Sequence, residues 1–291
     1  MIDLRGVSKY YGDAKVVDDV SLRIEAGETL VLLGTSGSGK TTLLKMINRL
    51  VEYEEGSIHF DQLDIKDVDA VQHRRSIGYV IQNSGLFPHM TIKENVSVVP
   101  RLLKKEPAET NKKINTLLSL LKLEPQEVLH RFPHELSGGQ QQRIGIARGL
   151  AGDPVALLMD EPFGALDPIT RKEVRNDFKE LLKDQKTTTI IVTHDVLEAI
   201  ELADRICLLD FGRIQQIGTS KELLFHPGNE FVNDFFQSDR FQAELTAIKI
   251  NEIQKEVEQT SSVLEYLKEA GVDQSTVMDS FYEYKTNFIA H

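Results

Sequence analysis

The sequence predicts an α/β fold in which a buried strand leads through a phosphate-binding loop into a helix. Residues 29–33 form a short apolar run, and residues 34–41 follow it as Gly-Thr-Ser-Gly-Ser-Gly-Lys-Thr. Apolar residues then recur at helical spacing, which predicts a helix over residues 41–50. A strand, a glycine loop and a helix in this order are the context that a phosphate loop requires.

Further strands and an inserted helical segment surround this unit. Short strands are predicted at residues 2–4, 16–24, 57–60 and 76–80. From about residue 88 to residue 150 strand patterns fade and helical periodicity dominates, which we interpret as a helical subdomain inserted into the α/β core. The core is predicted to resume with strands at 155–159, 188–192 and 206–209 and a helix near 171–183.

The order of predicted elements and a change of composition near residue 240 divide the chain into one large domain and a tail. Residues 1–240 are predicted to form a nucleotide-binding domain, and residues 241–291 a short helical C-terminal tail. Ile250, Ile253 and Val257 fall at helical spacing within that tail. We interpret the tail as an appendage of the core, and a contact between two copies of the chain is the alternative.

Composition narrows the function classes. The net charge of −11 over 291 residues argues against a general nucleic-acid-binding surface, so no nucleic-acid partner is expected. The single cysteine excludes a disulfide framework and a thiolate metal cluster. Cys207 is interpreted as a buried strand residue, with a reactive thiol as the alternative.

No targeting or membrane-spanning segment is expected. The first residues lack a basic region followed by an apolar one, so no signal peptide is predicted. The apolar runs are only strand-length, whereas a spanning helix needs ~20 apolar residues. If the protein acts at a membrane, we therefore expect it to do so by binding a partner protein.

The glycine loop carries the first chemistry. It matches G-x-x-x-x-G-K-[ST], in which backbone N–H groups converge on phosphate oxygens and the following helix adds its positive end. Lys40 is predicted to reach the β- and γ-phosphates, and Thr41 to place its hydroxyl on Mg²⁺. The predicted nucleotide contacts of this segment are Gly34, Ser36, Gly37, Gly39, Lys40, Thr41 and Thr42.

Two acidic residues end the apolar strand at 155–159. Asp160 is predicted to hold Mg²⁺, and Glu161 to polarise the water that attacks the phosphate. Alone, an acidic pair at a strand end is more often solvated than catalytic. Together with the phosphate loop, the pair favours catalysis.

Residues 136–140, Leu-Ser-Gly-Gly-Gln, lie between the phosphate loop and the Asp160–Glu161 strand. This order of motifs resembles the ATP-binding-cassette (ABC) family, whose members hydrolyse ATP between two facing copies of the same domain. The resemblance implies a RecA-like P-loop NTPase core with an antiparallel β subdomain and an inserted helical subdomain. The chain has no N-K-x-D guanine motif, which favours ATP over GTP.

The resemblance also assigns roles within one copy. Tyr11 matches the aromatic residue that stacks on adenine, with Tyr10 as the rival candidate. Gln82 matches the glutamine that touches the metal and the attacking water. His194 matches the switch histidine that contacts the γ-phosphate, although a lone histidine is more often structural.

Four other residues match positions that act across the interface between two copies. Ser137, Gly139 and Gln140 belong to the motif that completes the nucleotide site of the opposite subunit. Asp167 belongs to the loop that crosses the interface. The implied assembly is a head-to-tail homodimer that buries two ATP molecules, and hydrolysis at Glu161 would open it.

Five segments, at residues 33–40, 45–51, 78–82, 85–90 and 159–168, resemble ATPases of bacterial osmoprotectant, or quaternary-amine, importers. Such a subunit works on the cytoplasmic face of the bacterial inner membrane, with a transmembrane permease and, indirectly, an external substrate-binding protein. Importers of another small solute, such as ergothioneine or an amino acid, are the alternative, followed by a cassette ATPase outside transport.

Two regions bear on partners and regulation. Many relatives carry two regulatory CBS modules after the ATPase domain, and about fifty residues are too few for a pair. The permease contact is expected near residues 83–95, where Leu86, Phe87 and Met90 would form a groove for a permease helix. The alternative places these three residues in the core of the helical subdomain.

Overall fold

A computed structural model describes residues 1–82, 84–184 and 187–247 of the chain. Its strands are β1 (Ile2–Tyr11), β2 (Ala14–Ile24), β3 (Thr29–Gly34), β4 (Glu55–Phe60), β5 (Leu63–Asp64), β6 (Ile77–Val80), β7 (Ala156–Asp160), β8 (Thr188–Val192), β9 (Arg205–Asp210) and β10 (Arg213–Gly218). Its α-helices are α1 (Lys40–Ile47), α2 (Ala70–Arg75), α3 (Ile92–Leu102), α4 (Pro107–Leu120), α5 (Pro125–Val128), α6 (Gly138–Leu150), α7 (Pro168–Asp184), α8 (Val196–Leu202), α9 (Ser220–Phe225), α10 (Glu230–Phe235) and α11 (Arg240–Ala247).

Six strands form the central sheet in the order β10-β9-β3-β8-β7-β6. All neighbouring pairs are parallel except β9 and β10, which are antiparallel. Every residue of β3 and β8 is buried, as expected for parallel strands covered on both faces. A second, antiparallel sheet has the order β2-β1-β4-β5. The predicted α/β class with an antiparallel β part is therefore confirmed.

Helices α3 to α6 occupy the stretch between β6 and β7, where the sequence predicts the helical subdomain. Helix α3 begins with a capping box, in which the Thr91 hydroxyl accepts from the Glu94 N–H and the Glu94 carboxylate accepts from the Thr91 N–H. Helix α4 begins at Pro107, because a proline at the first helical position has no N–H to leave unpaired.

Three boundaries differ from the predictions near the phosphate loop. Strands β1 and β2 are longer than predicted because bulges interrupt their alternation, and Gly6 and Asp19 take left-handed φ values of 57° and 51°. Helix α1 ends at Ile47 rather than 50. Arg49 takes a φ of 50°, which stops the helix, and Leu50 is exposed.

Cys207 is buried in β9, as predicted, and burial raises the pKa of its thiol to about 12, which argues against the reactive-thiol alternative.

None of the helices in the described ranges combines the length and the apolar character needed to cross a bilayer. Residues 1–243 form one compact unit. The predicted tail, 241–291, lies almost wholly outside the described residues.

Candidate active site

The predicted phosphate-binding, metal and catalytic residues of one copy gather at one edge of the central sheet. Strands β3, β7 and β8 are parallel, so their carboxyl ends meet at that edge. These ends carry the phosphate loop, the acidic pair and His194 respectively. Gln82 follows β6, the neighbour of β7. Ligands of open α/β sheets bind at this edge as a rule.

The phosphate loop takes a conformation that glycine alone allows at two positions. Gly34 and Gly39 have φ values of 151° and 96°. A side chain at Gly34 would collide with the Leu209 carbonyl, and one at Gly39 would lie 2.5 Å from the Val16 carbonyl oxygen. Ser36 and Gly37 are exposed on the crest of the loop, and Thr41 and Thr42 are half-buried at the start of α1.

The Lys40 ammonium lies inside the loop. Its Nζ donates to the carbonyl oxygens of Gly34 (2.9 Å) and Thr35 (2.6 Å) and to the Ser38 hydroxyl (3.2 Å). Burial lowers the pKa of Lys40, while the nearby carboxylates of Glu161 and Asp160 act in the opposite sense. The loop thus holds a desolvated cation next to two carboxylates, where an anionic phosphate would replace its weak neutral acceptors.

Thr41 and Asp160 meet across the site. The Thr41 hydroxyl donates to Asp160 Oδ1 at 2.7 Å, although the two residues are far apart in sequence. Both side chains present hard oxygen atoms, the ligand type that Mg²⁺ prefers. Two of the three predicted metal residues, Thr41 and Asp160, are therefore adjacent, and the third, Gln82, contacts Glu161.

Glu161 is the centre of a second group. Gln82 Nε2 donates to its Oε2 at 3.3 Å, and His194 Nδ1 lies 3.2 Å from its Oε1. Glu161 itself has a left-handed φ of 45°, which is rare for a residue with a side chain, and its N–H donates to the Val192 carbonyl. The structure thus brings together the three residues predicted to be catalytic.

The Leu-Ser-Gly-Gly-Gln motif forms the start of α6. Ser137 is the N-cap, its hydroxyl accepting from the Gln140 N–H and its own N–H donating to the Gln140 side chain. Gly139 packs so tightly against Thr170 of α7 that a side chain there would collide with the threonine methyl group. Exposed Ser137 at the N-terminus of a 13-residue helix suits an anion.

This motif has no polar contact with its own phosphate loop. Among the described residues, Ser137 and Gln140 make no hydrogen bond to residues 34–41. Asp167 is exposed and its Oδ1 accepts from the Thr170 N–H, and the Thr170 hydroxyl lowers the pKa of its carboxyl. These predicted cross-interface residues thus stand apart from the catalytic group of the same copy.

Tyr11 and Tyr10 differ in accessibility. The Tyr11 side chain is exposed at the end of β1, with the Lys9 ammonium 5.2 Å from its ring centroid. The half-buried Tyr10 hydroxyl donates to Glu55, and Lys15 lies over its ring. The greater exposure of the Tyr11 side chain supports it over Tyr10 as the stacking residue.

The segment predicted to meet a permease is shaped by a residue that the sequence did not mark. Asn95 is fully buried; its Oδ1 accepts from the Phe87 N–H, and its Nδ2 donates to the carbonyls of Phe87, Met90 and Thr91. Phe87 is 40% exposed, which does not fit the core alternative. Asn83 lies outside the described residues.

Arg148 of α6 is a second residue missed from the sequence. Its guanidinium donates to the carbonyls of Ser84 and Gly85, and it lies 5.8 Å from the centroid of the Phe87 ring. It therefore ties the helix of the Leu-Ser-Gly-Gly-Gln motif to the segment after Gln82. No local pattern marks an arginine that binds backbone carbonyls about sixty positions away.

Comparison with known proteins points to one family. The family model described as ABC transporter matches residues 17–164. The chain is 52% identical over 241 residues to the choline transport ATP-binding protein OpuBA of Bacillus subtilis, covering 82% of this chain and 63% of that one. It is 45% identical to the glycine betaine uptake system ATP-binding protein YehX of Escherichia coli, covering 86% and 80%. The chain thus spans less than two thirds of OpuBA.

A solved structure is similar as well. The dimeric post-hydrolysis state of the ATP-binding cassette MJ0796, bound to ADP and Pi, matches with a TM-score of 0.66 and 34% identity. The match covers 75% of this chain and 98% of that cassette.

Proposed function

The chain belongs to the ABC transporter family, and we propose that it is the ATP-hydrolysing subunit of a bacterial importer for an osmoprotectant or another quaternary amine. The observation that carries the hydrolytic part is the contact of Gln82 and His194 with Glu161, beside the Lys40 loop. The substrate class rests on the names of the relatives, which transport choline and take up glycine betaine.

Each group at the sheet edge has a separate task. Lys40 and the loop N–H groups bind the phosphates and offset their charge. Glu161 orients the attacking water and accepts its proton, while Gln82 and His194 fix the direction of the carboxylate by holding one oxygen each. Tyr11 stacks on the adenine ring.

The residues present fit Mg²⁺. The Thr41 hydroxyl and the Asp160 carboxylate are adjacent oxygen ligands at the phosphate loop, and the Gln82 amide is the third predicted ligand. When bound, Mg²⁺ supplies charge neutralisation at the transferred phosphoryl group. The hydrogen bond between Thr41 and Asp160 keeps both side chains oriented before nucleotide arrives.

A second copy would complete the site. Ser137, Gly139 and Gln140 lie at an exposed helix N-terminus with no hydrogen bond to their own phosphate loop in the described ranges. The dimeric state of the MJ0796 cassette supports an assembly of two copies. In that assembly we expect this helix to face the phosphate loop of the other copy. In such a head-to-tail homodimer ATP binding closes the interface and hydrolysis opens it.

The transport partner would be a transmembrane permease, which this chain would meet at the cytoplasmic face of the membrane. Exposed Ile81 and Phe87, with half-buried Leu86 and Met90, provide an apolar surface beside Gln82. A permease helix that binds this surface would lie next to Gln82, so its movement could change the position of Gln82 and, through the hydrogen bond between them, of Glu161. An external binding protein would select the solute.

Substitution of the catalytic carboxylate tests the hydrolytic proposal. Glu161→Gln is expected to retain ATP binding, to lose at least about 100-fold in kcat because the base is gone, and to form an ATP-dependent dimer on size exclusion. The exposed Glu127→Gln serves as the control for the same chemical change. Wild-type turnover in Glu161→Gln would refute the assignment.

Uptake assays test the substrate class. Cells with wild-type protein or Glu161→Gln are compared for uptake of labelled glycine betaine, choline, carnitine and ergothioneine. Loss of uptake of one compound in the variant identifies the solute. Equal uptake of all four would remove the quaternary-amine assignment and leave the ATPase proposal standing.

The permease surface has its own test. Phe87→Asp is expected to abolish uptake while basal ATPase activity stays within about twofold, because the exposed ring lies outside the catalytic group. Leu63→Asp, an exposed apolar residue on β5, is the control. Equal loss of uptake and ATPase in Phe87→Asp would contradict the docking role.

A further inference from the structure

The guanidinium of Arg171, in the first turn of α7, holds the loop at residues 161–167. Its Nε donates to the Phe163 carbonyl oxygen at 3.2 Å. One terminal nitrogen donates to the carbonyl oxygens of Leu166 (2.9 Å) and Gly164 (3.4 Å). One planar fork therefore contacts three carbonyls of a segment that has no sheet or helix ladder of its own.

The same guanidinium faces the loop that follows β8. Its other terminal nitrogen lies 3.9 Å from Asp195 Oδ2. Asp195 directly follows His194, and its Oδ1 accepts from the Glu198 N–H as the N-cap of α8. One carboxylate thus fixes the start of α8 with one oxygen and faces Arg171 with the other.

A second ion pair holds α7 and α8 together one turn further on. Arg175 Nε lies 2.7 Å from Glu201 Oε2, and both side chains are largely buried. The relative position of the two helices is therefore fixed by charge pairs at two successive turns. Arg171 differs from Arg175 in that it also contacts the loop.

These contacts close a ring through the catalytic group. The ring starts at Glu161 and follows the loop at residues 161–167 to its contacts with Arg171. It continues from Arg171 to Asp195 and along the chain to His194, and it returns to Glu161 across the 3.2 Å contact. Glu161 has left-handed backbone, a conformation that persists only where the surroundings hold it.

We propose that Arg171 is a positioning residue for ATP hydrolysis, which sets the Glu161 loop against the His194 loop. This inference rests on the proposed hydrolytic function. A lysine at 171 keeps the charge but contacts the loop with a single compact ammonium, so the three carbonyls lose their common donor. Misplacement of a catalytic group by ~1 Å costs on the order of 100-fold in rate.

Arg171→Lys and Arg171→Ala test the proposal in the full-length chain. We expect kcat for ATP hydrolysis to fall about tenfold in the lysine variant and about 100-fold in the alanine variant. ATP affinity, measured by titration with a fluorescent ATP analogue, is expected to change less than about twofold, because within the described residues the polar contacts of the Arg171 guanidinium do not reach the phosphate loop. Lys172→Ala is the control, since it removes an exposed charge from the next position of α7.

Asp195→Asn tests the contact between Arg171 and the loop that follows β8. Asparagine keeps the N-cap oxygen of α8 but removes the charge that faces Arg171. We expect a fall of about threefold in kcat, and a double variant with Arg171→Lys whose loss is smaller than the product of the single losses.

Two outcomes would overturn the proposal. One is wild-type kcat in Arg171→Lys; the other is a loss of kcat that matches the unfolded fraction measured by circular dichroism at the assay temperature. If Glu161→Gln keeps turnover, the proposed function fails instead. Loss of turnover in Glu161→Gln with unchanged Arg171 variants refutes the positioning role alone.

Discussion

Glu198 is an acid buried without a full set of partners, and its replacement by glutamine gives a pH-dependent prediction. The side chain is 3% exposed in the first turn of α8, and its Oε1 has no hydrogen-bond partner. Burial and, to a smaller extent, the Asp195 carboxylate raise the pKa of Glu198 to about 8. Arg175, the Thr193 hydroxyl and Arg171 act in the opposite sense.

The sign of the effect follows from proton binding. Between the ordinary pKa of 4.5 and about pH 8 the folded chain holds a proton on Glu198 that the unfolded chain has released. The free energy of unfolding therefore falls as pH rises through this window. At ~1.4 kcal/mol per pKa unit, the loss amounts to at most about 5 kcal/mol.

Glu198→Gln removes this loss because the amide stays neutral. An amide N–H without a partner costs about 1 kcal/mol at every pH, so the variant is expected to match or fall slightly below the wild type near pH 4.5. By pH 8.5 we expect it to be more stable by a few kcal/mol. The measurement is urea unfolding of both proteins from pH 4.5 to 9.

The difference between the two proteins isolates Glu198, since other titrating groups are common to both. Glu173→Gln, at an exposed position of α7, is the control and should show a small difference that does not vary with pH. A stability difference between Glu198→Gln and wild type that is constant from pH 4.5 to 9 would refute the reasoning.

Three further substitutions test packing around the site by urea unfolding. Gly139→Ala is expected to lower the free energy of unfolding by about 1–3 kcal/mol, because its methyl group collides with the Thr170 methyl group. Adding Thr170→Ser should restore most of the lost stability, and the absence of rescue would mean that the clash lies elsewhere. Asn95→Leu removes the acceptor of the Phe87 N–H and the donor to the Met90 carbonyl, while the Phe87 and Thr91 carbonyls keep a backbone N–H. It should cost about 1–3 kcal/mol, and cleavage by protease at residues 87–90 should rise with it. Gly78→Ala drives a side chain into a backbone carbonyl of α6 and should cost roughly 1–3 kcal/mol or more, and a neutral result would contradict the close approach of β6 and α6.

The central sheet could be predicted because its signals are local. An apolar run, a glycine loop and a periodic helix follow one another without interruption between residues 29 and 50, and β8 was predicted to the residue. Strands β1 and β2 were predicted too short because bulges break the alternation on which strand prediction depends. A bulge leaves no mark in the sequence beyond an isolated glycine such as Gly6.

Residues that act on distant backbone carbonyls could not be predicted. Asn95, Arg148 and Arg171 each bind carbonyls of an irregular segment, and a carbonyl is the same in every residue. A sequence motif therefore cannot indicate which carbonyls these side chains bind. Only the fold shows that three separate side chains hold the loops on which Gln82 and Glu161 are placed.

The loop held by Arg171 links chemistry in one copy to contact with the other. It begins at Glu161, which we assign to hydrolysis, and ends at Asp167, which we assign to the interface. Since one guanidinium contacts three carbonyls between these two residues, we expect a shift at Asp167 on docking of a second copy to move Glu161 as well. Hydrolysis would then be fastest when the partner is seated, and Arg171→Ala should weaken the dependence of kcat per chain on protein concentration.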